Sequence, residues 1–168
     1  MNAFIRFGAV AACAGGLLRI AAAFIPFVTG SAWLELLYAL IDLGLLFGLI
    51  AVLLFAGDRI GSAGMAFGLT AIAAMASIIG PDATMFGVDF YLAGASLFSL
   101  ALAGCSLWLI RGGILVWPAR LWLGSFVSGL FSMMGGGEAA FGLAGVLLGV
   151  GFVTAGRTIR PPTAAHPV

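Results

Sequence analysis

The chain has 168 residues, of which 63% are hydrophobic and 8% charged, with a mean hydropathy of +1.24 and a net charge of +1. Ordinary soluble domains are about 45–50% apolar and about 25% charged, so this composition excludes a soluble globular domain, a disordered chain and a nucleic-acid partner, which would call for a basic surface. It implies an all-α integral membrane protein whose main partner is the lipid bilayer. At about 20 residues per transmembrane helix, the length holds a six-helix bundle with short loops.

The apolar runs predict helices over 7–28, 32–55, 61–79, 90–110, 117–134 and 138–156, together one domain over 1–156 followed by a disordered cytoplasmic tail over 157–168. The breaks between them carry most of the Gly, Pro and charge. Runs of about 20 continuous apolar residues do not fit a β-barrel, whose strands alternate over about 10.

The first helix contains Val10-Ala11-Ala12-Cys13, a lipobox-like string, but the apolar stretch before Cys13 is shorter than a signal core of about 7–15 residues. The same helix holds Arg19. Arg19 lies 11 residues before Gly30 and Asp42 lies 12 after it, about 16 and 18 Å from that turn in antiparallel neighbours. Equal depth near mid-bilayer predicts an ion pair, because each isolated charge there costs about 2.5–3.5 kcal/mol. Gly8, Ala12, Gly15, Arg19, Ala22 and Pro26 share one face, where small residues let the second helix approach.

In the second helix Glu35, Tyr38 and Asp42 stand at i, i+3 and i+7, a polar stripe from the outer mouth to mid-membrane. Between the third and fourth helices, residues 80–89 form the longest outer connection and carry Asp82 and Asp89 beside Met85 and Phe86. The fourth helix offers Ser96, Ser99 and Ser106, and the fifth offers Ser125, Ser128 and Ser132, each set on one face; such hydroxyls serve mainly as glue between or within helices. The fifth helix begins with Trp117-Pro118, which suits a first turn. The sixth places Glu138, Gly142, Gly145, Gly149 and Gly156 on one face, for packing within the chain or against homo-oligomer or membrane-complex partners. Ala66-Phe67-Gly68-Leu69 recurs as Ala140-Phe141-Gly142-Leu143, a faint sign of two inverted halves.

Arg6, Arg59, Arg111, Arg120, Arg157 and Arg160 fall in the breaks that would share one side with the N-terminus, and the other three connections have no Arg. Positive residues stay cytoplasmic, so both termini are expected inside, with Glu35, Asp82, Asp89 and Glu138 at the outer face. Trp108, Trp117 and Trp122 would form the inner aromatic belt, and Trp33 and Tyr91 the outer one. Seven Arg without a Lys, beside abundant Ala and Gly, suggest a GC-rich bacterium and its inner membrane.

The inventory argues against catalysis and cofactors. Retinal chemistry needs a Lys, a haem or buried metal site needs more than the lone His166, and a thiol relay needs more than Cys13 and Cys105 without a C-x-x-C spacing. Asp42 is the one Asp at depth, so a facing pair of catalytic aspartates is missing. We therefore expect no enzyme, no metal and no cofactor, but a small polytopic protein that binds or transports a small solute or ion. Arg19, Asp42, Glu35 and Tyr38 would line the path, with Asp82, Asp89 and Glu138 as acidic residues at the outer mouth. The competing expectation is a non-catalytic accessory or assembly subunit of a larger membrane complex.

Overall fold

The computed structural model describes residues 3–26, 28, 31–79, 84–85 and 88–160. Six α-helices follow one another: α1 Ala3–Ala22, α2 Ala32–Ala56, α3 Gly61–Ile78, α4 Phe90–Arg111, α5 Val116–Phe131 and α6 Gly137–Ile159. Two short strands, β1 Thr84–Met85 and β2 Val88–Asp89, pair antiparallel ahead of α4. Four continuous helical stretches are long and apolar enough to cross a membrane by length and composition: Ala3–Ala22, Ala32–Ile78, Phe90–Arg111 and Val116–Ile159.

Two of those stretches fold back on themselves. A 3-10 turn at Gly57–Ile60 separates α2 from α3, and Leu53 before it packs on Gly68 after it, so the two helices run antiparallel. A π turn at Ser132–Gly136 separates α5 from α6; Gly135 sits there at φ 104°, a backbone state that favours glycine. Across that turn the Ser125 hydroxyl donates to the Ala144 carbonyl at 2.8 Å and the Ser128 hydroxyl to the Ala140 carbonyl at 2.8 Å. The α5 hydroxyl stripe is thus spent as glue between helices. In α4, Ser106 is buried and bonds back to the Leu102 carbonyl at 2.7 Å, while Ser96 and Ser99 are exposed.

The helices close a ring in which α1 packs between α2 and α6, α6 beside α5, α5 beside α4, and α4 beside α3. Small residues set the closest approaches. Gly15 meets the Gly44 backbone, Gly48 meets Ala12, Gly16 meets Gly149, and Gly156 meets Ala9 and Cys13. A side chain at any of these points would collide with backbone or a neighbouring Cβ, so the glycine faces are used inside the chain. The core between helices includes Ile41, Leu45, Leu49, Met75, Leu109, Trp122 and Phe152. The outer surface is apolar as well, with Phe7, Val10, Leu17, Leu36, Leu54, Leu100, Val127 and Phe141 all exposed. Apolar residues on both sides of the helices suit lipid, not water.

The structure corrects several expected boundaries. α1 starts at Ala3 and stops at Ala22, not at residue 28, because Pro26 lacks an N–H and its ring clashes with the carbonyl four residues earlier. Residues 23 and 24 form a turn instead. α5 ends at Phe131, where the π turn takes over, and α6 continues to Ile159. Trp122 is no belt residue: it is 1% exposed and its ring centre lies 5.0 Å from that of Phe152, between α5 and α6. Trp108 and Trp117 do sit beside cations, their ring centroids 5.1 Å from the Arg111 guanidinium carbon and 5.4 Å from that of Arg120. The expected disordered tail over 157–168 starts too early, since 157–159 belong to α6; residues 161–168 and Asp82 lie outside the described residues.

Antiparallel packing gives the bundle two unlike ends. Gly156 against Ala9 joins the end of α6 to the start of α1, and Gly112 lies beside the Arg59 carbonyl. Arg6, Arg59, Arg111 and Arg157 therefore gather at one end. α2, α4 and α6 all begin at the other end, where Glu35 and Glu138 occupy first turns and Asp89 caps α4. Carboxylates in first turns and Arg in last turns also complement the helix dipoles.

Candidate functional site

Arg19 belongs to the last turn of α1. α2 and α6 both extend outward past that turn, so Arg19 is flanked by the interior of two longer helices. Tyr38 stands six residues into α2 and Gly145 eight residues into α6, about 9 and 12 Å from the starts of those helices. Arg19 thus lies well inside the bundle, even though its own helix stops three residues later.

The guanidinium carbon lies 5.9 Å from the centre of the Tyr38 ring. Its Nε and Nη2 are each 3.6 Å from where a Cβ would stand on Gly145. Nε is buried and has no hydrogen-bond partner among the described residues. Asp42 is near enough to act on Arg19 through its charge, and the antiparallel register does put the two at similar depth, as Gly15 on Gly44 requires. Yet no ion pair within 4.0 Å joins them among the described residues. The expected salt bridge is not made: the guanidinium is turned toward Tyr38 and Gly145.

This arrangement is tolerable on physical grounds. A cation over a desolvated aromatic face gains about 2 kcal/mol. The carbonyl end of α1 adds about 0.3–1 kcal/mol, and the Asp42 charge adds attraction at range. Together these offset the insertion cost of about 2.5–3.5 kcal/mol without using the hydrogen-bonding capacity of Nε.

Because α1 stops early, an open cleft remains between its end and the first turns of α6. It measures about 490 Å³ and is lined by Ala23, Phe24, Glu138, Ala139, Gly142, Leu143 and Val146. Arg19 and Gly145 are not among its lining residues; behind Ala23, a Cβ on Gly145 would stand 3.6 Å from the Ala23 Cβ and from the two guanidinium nitrogens. Glu138 is exposed at its rim.

Glu35 is exposed on the first turn of α2. Asp89 is occupied as a helix cap, its Oδ1 accepting from the Leu92 N–H at 2.9 Å. The structure thus groups Arg19 with Tyr38 and Asp42, and adds Gly145, Gly142, Ala23 and Phe24, which the sequence reading did not select as site residues. The glycine stripe on the sixth helix was visible, but its role beside Arg19 depends on which face of α6 meets α1. No family model matches the chain, and neither a curated protein nor a solved structure matches it.

Proposed function

We propose that this chain is a six-span protein of a bacterial inner membrane, with both termini cytoplasmic, that binds or passes a small solute at Arg19, Tyr38 and Asp42. The six-span reading is supported by the two fold-backs, which divide the four long helical stretches into six antiparallel helices. The orientation is supported by the Arg-rich end of the bundle, placed in the cytoplasm by the positive-inside rule. α5, at 16 residues, is about 24 Å long and short of a full span, which a locally thinner bilayer accommodates.

The observation that carries the solute-binding reading is the buried Arg19 Nε, which has no hydrogen-bond partner among the described residues. A purely structural arginine would be expected to satisfy that group against protein, since an unmet buried donor is costly. In the proposed role Asp42 is the counter-charge when the site is empty, and Tyr38 holds the guanidinium plane.

The test is thermal unfolding of the purified protein in lipid nanodiscs against a panel of small acids, amines and neutral solutes. At least one solute raises the melting temperature saturably in the wild type, and Arg19→Gln and Tyr38→Ala abolish that rise. A panel in which no solute effect depends on Arg19, Tyr38 or Asp42 removes the reading.

A further inference from the structure

We propose that the Arg-rich end of the bundle holds an anionic phospholipid, with its phosphate on Arg59 and Arg111 and an acyl chain along the face of α3 and α4 that leads away from them.

Charge is the first argument. Among the described residues this end carries Arg6, Arg59, Arg111, Arg120, Arg157 and Arg160 against the single carboxylate of Asp58. All six arginines are exposed, and none is in an ion pair within 4.0 Å among the described residues. Two of them spring from adjoining backbone. A Cβ on Gly112, next to Arg111, would stand 3.0 Å from the Arg59 carbonyl oxygen. The turn that carries Arg59 leads into α3, whose Gly64 packs against Trp108, and the Arg111 guanidinium carbon lies 5.1 Å from the centre of that tryptophan's ring. Tryptophan and arginine together mark the headgroup level of a bilayer. Arginines at that level meet lipid phosphate, which guanidinium groups bind through paired hydrogen bonds.

Shape is the second argument. Leu100, Gly104, Leu107 and Arg111 stand at i, i+4, i+7 and i+11, one face of α4. Leu100 is 57% exposed and Leu107 53%. Phe67 of α3, also exposed, lays its ring against Gly104 and widens the same face. Leu100 lies 11 residues before Arg111, about 16 Å along the helix axis. One leaflet of hydrocarbon is about 15 Å deep, half of the bilayer core. A cation at the interface above an apolar track one leaflet long matches a phospholipid in charge and in length. An anionic headgroup suits it best, because a zwitterionic one brings its own ammonium to the arginines.

The test places the full chain in vesicles of phosphatidylcholine, phosphatidylethanolamine and phosphatidylglycerol in equal parts, then measures the lipid that stays bound by native mass spectrometry. The wild type retains phosphatidylglycerol in preference to the other two. Arg59→Gln with Arg111→Gln lowers that preference by on the order of tenfold. Arg59→Lys with Arg111→Lys, which keeps both charges, retains more of it than the glutamine pair. Arg120→Gln removes an arginine stacked on Trp117 at the same end and keeps most of it. All of these side chains are exposed, so the variants should melt in pure phosphatidylcholine vesicles as the wild type does. The proposal is overturned if the wild type shows no preference, if the preference survives in the glutamine pair, or if Arg120→Gln lowers it as far as that pair does, which would mean diffuse charge and no site. Inorganic phosphate that raises the melting temperature in pure phosphatidylcholine through Arg59 and Arg111 assigns them to a free anion and overturns the lipid. None of these outcomes involves Arg19, so the proposal stands or falls separately from the solute-binding reading.

Discussion

The guanidinium carbon of Arg19 rests 5.9 Å from the centre of the Tyr38 ring, while Asp42, one turn further along the same helix, stays beyond ion-pair distance. A pair of opposite charges at one depth of a helical hairpin would ordinarily close on each other. Here the cation is turned aside, toward Tyr38 and Gly145. Arg19 is thereby compensated without being consumed.

Exchange of the two charges separates this arrangement from a simple ion pair. In a structural pair, Arg19→Asp with Asp42→Arg restores what either single change removes. In the present geometry an arginine at 42 starts from a different helix and loses the place between Tyr38 and Gly145. The double variant is expected to insert but to show no solute-dependent rise in melting temperature, with coupling between the two sites read from a double-mutant cycle.

Asp42→Asn removes the counter-charge and leaves the guanidinium in place. If the ligand is an anion, its affinity should rise severalfold, because it no longer competes with the Asp42 field. Flux through proteoliposomes should fall, because release slows. Binding and flux measured on the same preparation check the opposite signs.

The glycines of α6 should divide sharply in stability. Gly149→Ala forces a methyl group toward the Gly16 carbonyl and to 2.7 Å from the Ile20 Cγ1, a clash costing about 1–3 kcal/mol. Gly145→Ala meets ordinary contacts and gains helix propensity, so its stability should be unchanged or up to about 1 kcal/mol higher. Unfolding of both variants in mixed micelles by titrated SDS measures the difference.

Ser125 and Ser128 tie α5 to α6 through the Ala144 and Ala140 carbonyls. Each change to Ala should cost about 0.6–1.7 kcal/mol of stability and leave solute affinity unaltered. Trp122→Ala empties a site filled to 1% exposure against Phe152 and should cost about 3–5 kcal/mol. Trp122→Phe should cost much less, since the indole N–H has no hydrogen-bond partner among the described residues.

The proposed six-span orientation is open to labelling. Single cysteines at Glu138, Asp89 and Asp58, placed in a Cys13→Ala, Cys105→Ala background, report the side of each connection. A membrane-impermeant maleimide added to intact cells should label the first two positions and spare the third.

Much of the helical plan was legible because each helix is a long apolar run closed by glycine, proline or charge. The antiparallel register of the first two helices was legible from the break between their apolar runs, and Gly15 against Gly44 places Arg19 and Asp42 at similar depth. The end of α1 was misplaced because hydrophobicity continues through Phe24 and Ile25, whereas Pro26 stops the backbone ladder. That early stop creates the cleft, so the cleft was invisible in hydropathy. Trp122 was assigned to the interface from its position near a helix start, but burial depends on which face of α5 meets α6. The stripe from Glu138 through Gly145 was visible as spacing; its meaning required knowing that it faces α1.

If Arg19 serves a ligand in a protein that works on its own, native mass spectrometry of the protein released straight from its own membrane will detect that ligand. One chain or a homo-oligomer is expected, carrying a small molecule that Arg19→Gln no longer retains. Release in a fixed ratio with other polypeptides, with no small molecule bound, would contradict it and identify Arg19 as part of the scaffold of a larger complex.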